Sequence, residues 1–472
     1  MEAGEDPFPV GRDSFALTPR GDTLTIECWD QTRNLVRRIR RIQSRRRGRM
    51  EVEVERFGAR TGTLTLIDLA DASNRAADQR AARLKYREQF RRSLRRQFPE
   101  WSIVELSTEP DLHHTLSPSY PRAFLRRRSA GLAAIGAGEA ALAPENVLSF
   151  GLIWLDYLRR RETRVNIERL AIFVPVSAQA AASHRVRFLN PNAAGYLLYV
   201  HHRGQEDRID PDDYTNFETR LEPCRRAGAN DWARSLASID GVEVREKTDG
   251  SVSFAVRGLE FARIAGGELL FGIDHKHAGS RSHLSEVQEL AAGLARMRCA
   301  GAADPLNPLY TRSPESWLES QVRRNIEQID AMLHPSPVYG QVPQFASGER
   351  GVIDLLAAGR DGRLAVIEIK ADQDIHLPLQ ALDYWMRVKW HLDRGEFARG
   401  GYFPGVPLTN VSPKLLLVAP ALEWHPCNEI VIKYFKSEVQ AERIGVGIEW
   451  KQELRIMFRV PPTPWHSPYL AR

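Results

Sequence analysis

The feature that most constrains the fold is a pair of apolar segments in the second half, joined by a short polar turn. The segments are "GVIDLLAA" (Gly351–Ala358) and "LAVIEIK" (Leu364–Lys370), and the turn contains "GRDG" (Gly359–Gly362). Glycine and aspartate favour a turn here, so the two segments are expected to pair as a β-hairpin. A strand that is apolar on both faces is typical of a sheet covered by helices. The sequence therefore predicts an α/β fold around this hairpin.

Helices and a further pair of strands are predicted on either side of the hairpin. A segment that begins Ser-Pro predicts a helix over Ser313–Leu333, because proline fits the first turn of a helix. A strand, "VYGQVPQF" (Val338–Phe345), leads into the hairpin. After the hairpin come a helix over about Leu379–Leu392 and the strand Leu415–Pro420. The predicted order is helix, three strands, helix, strand.

The first half contains a similar succession of elements. Tyr86 in "YREQFRRSL" precedes Leu318 in "LESQVRRNI" by 232 positions, and the same offset places "LAAIGAG" (Leu132–Gly138) under "LAVIEIK". Two blocks at one offset and in one order indicate a tandem duplication. The alternative is that two α/β domains share the same periodicity and nothing more. The predicted division is a basic, β-rich segment (1–75), a first α/β domain (76–230), a β-rich connection (231–300) and a second α/β domain (301–472).

Two charged residues interrupt the second strand of the hairpin. Glu368 and Lys370 are two positions apart, so their side chains point to the same face of the strand. One interpretation is a salt bridge across that face, which offsets the cost of burying either charge. Asp354 suggests another, because the hairpin would bring it beside Glu368. Two carboxylates and the main-chain carbonyl of Ile369 are oxygen ligands of the kind that Mg²⁺ or Mn²⁺ prefers.

Asp354 in "VIDLL", followed by "EIK" at Glu368–Lys370, resembles the motif of the PD-(D/E)xK nuclease superfamily. Downstream, "QALDY" supplies Gln380 and Tyr384, which match the QxxxY element of the branch that includes the RecB-like nucleases. Residues four apart share one face of a helix, so both side chains can point toward the site. The chain departs from the motif at its proline, because Ile353 precedes the aspartate.

The resemblance implies a restriction-endonuclease-like αβββαβ core in the second half and a Mg²⁺ (or Mn²⁺) cofactor. Asp354, Glu368 and the Ile369 carbonyl would hold the metal. Glu319 in "WLESQVRRNI" matches the acidic residue of the family's first core helix and would be a helper ligand. Glu315 lies one helical turn earlier and is the alternative to it.

The same resemblance implies hydrolysis of phosphodiester bonds in nucleic acid, DNA above all. Lys370 would position and polarise the attacking water. Gln380 and Tyr384 would orient Lys370 or the scissile phosphate. The alternative function is a catalytically inactive nucleic-acid-binding or scaffold protein that keeps the nuclease fold.

The first half lacks these ligands. Under the offset of 232, the positions of the two strand carboxylates and the lysine hold Arg122, Gly136 and Gly138, and Arg87 takes the place of Glu319. The first α/β domain is therefore interpreted as a degenerate nuclease-like copy. Its arginine-rich helix could contact phosphates without sequence specificity, or it could be an ordinary solvated helix face. The candidate nucleic-acid-binding residues are Arg87, Arg91, Arg92, Arg95 and Arg96.

Composition restricts the compartment and the partners. The net charge is only +6, so charge by itself indicates no partner. The four cysteines form no CxxC pair, which fits a reducing compartment, and Met1–Val10 has no apolar core of a signal peptide. The sequence contains no run of about 18 apolar residues, so we expect no membrane span. It also contains no GxxxxGK[ST] loop, so we expect no nucleotide cofactor. We expect a cytoplasmic protein, with a helicase or another protein as a possible partner.

Overall fold

The structure is a computed structural model, and in it the chain forms two compact units, Met1–Glu88 and Gln89–Arg472. The segment Met1–Val10, discussed above, lies outside the described residues. The described residues are 15–20, 23–29, 34–46, 48–56, 60–68, 72–111, 113–202, 204–213, 219–226, 231–302, 304, 306–346 and 349–462.

The first unit contains a five-stranded antiparallel sheet whose strands follow one another in sequence order. Alternate residues such as Ile26, Val52 and Val54 are buried, so one face of the sheet covers a small core. Arginines of the third strand pair with glutamates of the fourth, for example Arg41 with Glu53 at 2.7 Å. The strands are β1 (Phe15–Arg20), β2 (Thr23–Trp29), β3 (Asn34–Arg46), β4 (Arg49–Arg56) and β5 (Arg60–Ile67).

A long helix, α1 (Ala72–Gln97), begins in the first unit and ends in the second. It is the arginine-rich helix predicted from the sequence. Phe90, Leu94 and Phe98 are buried at intervals of four residues, which gives the helix one apolar stripe. The Phe90 ring packs edge-on against Phe173 of the first large sheet, with 5.3 Å between ring centroids.

The first large sheet has six strands, with helices on both faces. Its strands are β6 (Ser102–Ser107), β7 (Arg122–Arg127), β8 (Ala130–Gly136), β9 (Asn166–Pro175), β10 (Gly195–His202) and β11 (Gln205–Ile209), and its helices are α2 (Val147–Arg161) and α3 (Gln179–Arg187). Neighbouring strands follow one another in the chain, so the spatial order from β6 to β11 is the sequence order. The strands β8, β9 and β10 are parallel, and the outer pairings are antiparallel.

A smaller five-stranded antiparallel sheet follows in the chain. We call the part from Asp231 to Met297 the β-module. Its helix α5 packs on the sheet through Val287, Ala291 and Leu294, which recur at helical spacing and are all buried. The strand β12 (Thr219–Arg220) precedes the module in the chain and is not part of its sheet. The elements of the module are α4 (Asp231–Ala237), β13 (Val242–Glu246), β14 (Val252–Val256), β15 (Leu259–Ala265), β16 (Glu268–Phe271), β17 (His277–Gly279) and α5 (Leu284–Met297).

The second large sheet has seven strands, of which β12 is one edge. The strands β20, β21 and β22 are parallel, and the outer pairings are antiparallel. The elements are α6 (Pro308–Thr311), α7 (Pro314–Arg324), α8 (Ile326–Ile329), β18 (Tyr339–Ala346), β19 (Glu349–Ala358), β20 (Leu364–Ile369), α9 (Leu377–Asp393), α10 (Glu396–Arg399), β21 (Lys414–Pro420), α11 (Pro426–Ile432), β22 (Gln440–Val446) and β23 (Ile456–Val460).

The helix predicted to run to Leu333 is shorter than expected. It ends at Arg324, and the short helix α8 follows separately. The Asn325 side chain donates a hydrogen bond to the main-chain carbonyl of Gln321 at 2.8 Å. Asparagine side chains compete in this way with the main-chain hydrogen bonds of a helix. The prediction of one continuous helix was therefore wrong.

The two large sheets share strand order and strand direction, apart from the short edge strand β12, which only the second sheet has. From β6 and from β18 onward, two antiparallel pairings lead into three parallel strands, and a final antiparallel strand closes the far edge. The strands β6–β11 correspond in this way to β18–β23, and α1, α2 and α3 occupy the same places in the order as α7, α9 and α11. This is the arrangement that a tandem duplication would produce.

The strand register changes one correspondence between the halves. Arg122 lies opposite Ile135, whereas Leu355 lies opposite Ile367. Since the two isoleucines are 232 positions apart, Arg122 corresponds to Leu355, and Pro121 takes the place of the first-strand aspartate. The assignment of Arg122 to that place was wrong by one position, because the hairpin turns differ in length and so change the offset.

The two halves pack together through their helices in one continuous apolar core. Helix α3 of the first half contacts α9 of the second, and α11 of the second half contacts α2 of the first. An isolated antiparallel bridge, Leu189 with Phe435, joins the segments that follow α3 and α11. The end of α1 that belongs to the second unit packs through Phe90 on the outer face of the first sheet, and α7 covers the outer face of the second. Both sheets are therefore covered on both faces, as the apolar strands predict.

Candidate active site

The predicted hairpin forms and brings the two acids together. β19 and β20 are antiparallel with Leu355 opposite Ile367, so the next residues, Asp354 and Glu368, are neighbours. The Asp354 carboxylate accepts a hydrogen bond from the Ile369 amide at 2.8 Å. Because β20 pairs in parallel with β21 and ends at Ile369, the acids lie at the carboxyl end of a parallel strand. Ligands commonly bind at such strand ends.

Both acids are shielded from water, Glu368 more completely than Asp354. Glu368 is 1% exposed, and its Oε2 atom has no hydrogen-bond partner among the described residues. Burial raises the pKa of Glu368 well above its ordinary value, and the neighbouring Asp354 raises it further. Burial also raises the pKa of Asp354 to about 7. The pair is therefore costly to ionise unless a positive charge lies close by.

Lys370 supplies one positive charge beside this pair. Its Nζ atom lies 3.6 Å from Glu315 Oε1 and 4.0 Å from Asp374 Oδ2. Within the described part of the chain its ion pairs are with these acids and not with Glu368, so the simple salt bridge between Glu368 and Lys370 is not formed. Burial by itself would lower the pKa of Lys370, but the surrounding carboxylates raise it above its ordinary value. The ammonium is thus held in its charged form.

The two glutamates of helix α7 have different surroundings. Glu319 is 2% exposed, and its carboxylate oxygens lie 3.3 Å and 3.2 Å from Arg245 Nη1 in the β-module. It is still close enough to Asp354 to raise the pKa of that acid. Glu315 is half exposed and ion-pairs with Lys370. The structure thus brings Glu315 directly to the lysine, while an arginine already engages Glu319.

Helix α9 places Gln380 and Tyr384 against the first strand of the hairpin. Tyr384 is buried, and its hydroxyl interacts with the Gln380 side chain and with the Val352 main chain. Burial raises the pKa of Tyr384, and the charge of Glu368 raises it further. Gly351 leaves room for the ring, because a Cβ atom there would lie 2.7 Å from it. Tyr384 therefore meets the strand that carries the aspartate, and Gln380 lies beside the Tyr384 hydroxyl, on the same face of the helix as the spacing predicts.

Asp374 is the site residue that sequence reasoning missed. It lies in the connection between β20 and α9, four residues after Lys370. Its Oδ1 atom accepts a hydrogen bond from the His376 amide at 2.7 Å. The His376 ring in turn lies 3.3 Å from Ser149 Oγ of α2, so the first half reaches this connection. The only signal in the sequence was a second acid soon after the lysine, in a segment without helical or strand periodicity.

The predicted nucleic-acid-binding arginines lie along one helix but differ in exposure. Arg92, Arg95 and Arg96 are exposed, whereas Arg87 and Arg91 are partly buried. Arg96 is ion-paired with Glu206 and donates a hydrogen bond to a main-chain carbonyl of the neighbouring turn. The exposed arginines are placed where a phosphate backbone could reach them.

Comparisons with known proteins assign neither a family to this chain nor a role to these residues. No protein-family model matches the chain, and no curated protein matches it. Among the described residues, no group of three or more His, Cys, Asp or Glu side chains is arranged to hold a metal ion. Within the same residues, no helix has the length and apolar character needed to cross a membrane.

Proposed function

We propose that this chain is a metal-dependent nuclease that hydrolyses phosphodiester bonds of nucleic acid, with DNA as the expected substrate. The observation that carries the proposal is the pair of buried acids on adjacent strands, Asp354 and Glu368, beside the ammonium of Lys370. An apolar strand has no structural need for an acid that is left without a partner. A hydrolytic site gives such an acid a use.

The residues present suit a divalent cation such as Mg²⁺ or Mn²⁺. The Oε2 atom of Glu368 is buried and meets no hydrogen-bond partner in the part of the chain that the structure describes, which leaves a ligand position open. Asp354, Glu368 and the Ile369 carbonyl are the ligands that we assign to the metal. When bound, the cation would relieve the repulsion between the two acids, activate a water and stabilise charge on the phosphate. Glu319 would have to leave Arg245 to help, whereas Glu315 is already at the lysine.

The neighbouring side chains have separate tasks in this proposal. Lys370 stays protonated among its carboxylates, so it can hold a water or a phosphate oxygen and stabilise developing negative charge. Gln380 and Tyr384 brace the strand that carries Asp354 and keep the two acids side by side. Asp374 holds Lys370 from the connection that leads into α9.

The order of elements supports the same proposal. Helix α7, the antiparallel strands β18–β20, helix α9 and the parallel strand β21 follow the αβββαβ order of a restriction-endonuclease-like core. The first half repeats this order with α1, β6–β8, α2 and β9, and it holds Gly136 and Gly138 in place of the glutamate and the lysine. We infer that the first half is a degenerate copy whose exposed arginines contact nucleic acid.

The test is Mg²⁺- or Mn²⁺-dependent cleavage of supercoiled plasmid and of labelled single-stranded DNA. The variants are Glu368→Gln and, as a control, Glu449→Gln, which makes the same change at an exposed position of the same unit. Loss of the buried ligand should reduce the cleavage rate at least about 100-fold, while the control keeps the wild-type rate. Cleavage by Glu368→Gln at the wild-type rate would refute this site. A wild-type chain that binds DNA without cutting it would favour the inactive binding or scaffold protein.

A further inference from the structure

A pocket of about 240 Å³ lies between the β-module and the second large sheet. The β-module contributes Arg245, Lys247 and Lys276 to its lining, and Arg312 lies just before helix α7. The module is pressed closely onto α7 at this place, because a Cβ atom at Gly258 would lie 1.9 Å from a main-chain oxygen of the helix. The pocket therefore lies between two closely packed elements, the β-module and α7.

The pocket adjoins the candidate active site. Gln341 lines the pocket and falls between Gly340 and Val342, which lie opposite Leu355 and Ile353. Gln341 therefore stands opposite the aspartate on the next strand. Glu319 also lines the pocket, and its charge acts on that same aspartate. A ligand in the pocket would thus sit one strand away from the proposed metal ligands.

The side chains that line the pocket carry a net positive charge. Four cations and two acids, Glu260 and Glu319, line the pocket. Both acids are engaged, Glu319 by Arg245 at 3.2 Å and Glu260 by Arg263 at 2.9 Å. Lys247 is half-buried and has no side-chain hydrogen bond or ion pair with any described residue. Burial lowers the pKa of Lys247, and the nearby carboxylates Glu319 and Glu260 offset this effect only in part.

The main chain is also strained around the pocket. Ser313 has φ of 47° and Gln341 has φ of 54°, and both line the pocket. A residue other than glycine is strained in this region, and such residues concentrate at ligand-binding sites. The two strained residues therefore line the same pocket as Lys247.

We infer that this pocket binds a backbone phosphate of the nucleic-acid strand that the neighbouring site cuts. The inference rests on the proposed nuclease function. In it, the β-module helps to bind the substrate of that nuclease. Lys247 supplies the main charge, and Arg312 assists once its exposed partner Asp274 is displaced. Lysine and arginine contacts to phosphate hold a strand in register without reading its sequence.

The experiment measures binding of a labelled oligonucleotide to the full-length chain in EDTA, by fluorescence anisotropy over a range of salt concentrations. The variants are Lys247→Gln and Arg312→Gln, with Lys433→Gln as the matched control, because Lys433 directly follows α11 and lies outside the pocket. Removing a phosphate contact should weaken binding on the order of 3- to 10-fold. It should also reduce the slope of log affinity against log salt by about one. The control should bind like the wild type. Melting curves identify any variant that fails to fold, and the second variant then carries the test.

The outcomes separate this inference from the nuclease proposal. If the wild type cuts DNA with Mg²⁺ but both pocket variants bind as the control does, the inference is refuted and the nuclease proposal stands. If the wild type neither binds nor cuts, both are refuted. If inorganic phosphate stabilises the wild type and not Lys247→Gln while oligonucleotide affinity is unchanged, the pocket serves free phosphate and the inference is again refuted.

Discussion

At the scale of single residues, the candidate site stands out because its buried acid is unsatisfied. Glu243 shows how the same protein treats a structural carboxylate. Its two oxygens accept hydrogen bonds from Ser320, Arg245 and Arg324 at 2.5–2.9 Å. Glu368 is less exposed than Glu243, yet one of its oxygens has no partner among the described residues. Such an atom costs free energy in the folded chain unless a ligand takes the place of the missing partner.

Metal binding is expected to stabilise the wild-type chain and not the variant Glu368→Gln. A ligand that binds only the folded chain at 100 times its dissociation constant adds about 2.7 kcal/mol to the free energy of unfolding. We therefore expect Mn²⁺ to raise the melting temperature of the wild type relative to EDTA. The exposed-site control Glu449→Gln should show the full shift. An equal shift in Glu368→Gln would contradict the assignment of this residue as a ligand.

At the scale of elements, the helices between the two large sheets do more than cover them. Helix α3 belongs to the first half and packs on α9, the helix that carries Gln380 and Tyr384. The contact includes the Arg185 guanidinium of α3 and the Asp383 carboxylate of α9. His184 lies in the same helix and is 9% exposed. The first half thus supports the helix that braces the candidate site.

Burial of His184 predicts a loss of stability in mild acid. Burial lowers its pKa from 6.5 to about 4, an effect that Arg387 and Arg187 strengthen and that Asp383 opposes. The unfolded chain therefore takes up the proton first as the pH falls. The free energy of unfolding decreases between pH 6.5 and pH 4, by up to roughly 1.4 kcal/mol for each pH unit.

The measurement compares melting temperatures at about pH 7.5 and about pH 5, a span that covers most of this window. The variant His184→Gln has no group to protonate there, so its difference between the two values should be smaller than that of the wild type. The exposed His202 on β10 provides the control, and His202→Gln should keep the wild-type difference. An unchanged difference in His184→Gln would show that this histidine does not set the acid sensitivity.

At the scale of the whole second unit, two similar halves and the β-module form one body around the site. One apolar core contains residues of both halves, among them Trp154 and Trp385. The β-module reaches the site separately, through the pairing of Arg245 with Glu319. The second half therefore holds the two acids, and the first half packs on helix α9 beside them. The β-module forms one wall of the adjoining pocket.

The ion pair between the halves is expected to contribute strongly to stability. The Arg185 guanidinium donates to the Asp383 carboxylate from Nε at 3.0 Å and 3.3 Å and from Nη2 at 2.8 Å, and the arginine is almost completely buried. Removing one partner of a fully buried pair costs roughly 3–5 kcal/mol. The cost here should be smaller, because Asp383 is partly exposed and Arg185 also donates to the Glu145 carbonyl. Arg185→Met and Asp383→Asn should each lower the melting temperature, and the double variant should lose less than the sum of the two.

A matched control lies on the same helix. Lys389 pairs with Asp393 near the surface of α9, and Lys389→Met should change the free energy of unfolding by no more than about 0.5 kcal/mol. Melting curves of the four variants test the prediction. Additive losses at Arg185 and Asp383 would mean that the two side chains do not act as a pair.

The sequence by itself determined the elements and the acids of the second half. Apolar runs, turn residues and a Ser-Pro start are local signals, so they predicted the hairpin, the helices on either side and the meeting of Asp354 with Glu368. The helix break at Asn325 was missed because it depends on one side chain that competes with main-chain hydrogen bonds. Local signals also could not show that the hairpin turns of the two halves differ in length.

Only the tertiary structure decided which acids and cations surround that pair. Glu319 and Glu315 are equivalent by helical spacing, yet Arg245, 74 residues earlier in the chain, engages one and leaves the other to Lys370. Asp374 reaches the lysine through a connection without regular periodicity. Lys247 lies beside the site because the β-module docks on α7. Contacts between distant segments depend on how whole elements pack, and no spacing within a sequence records that packing.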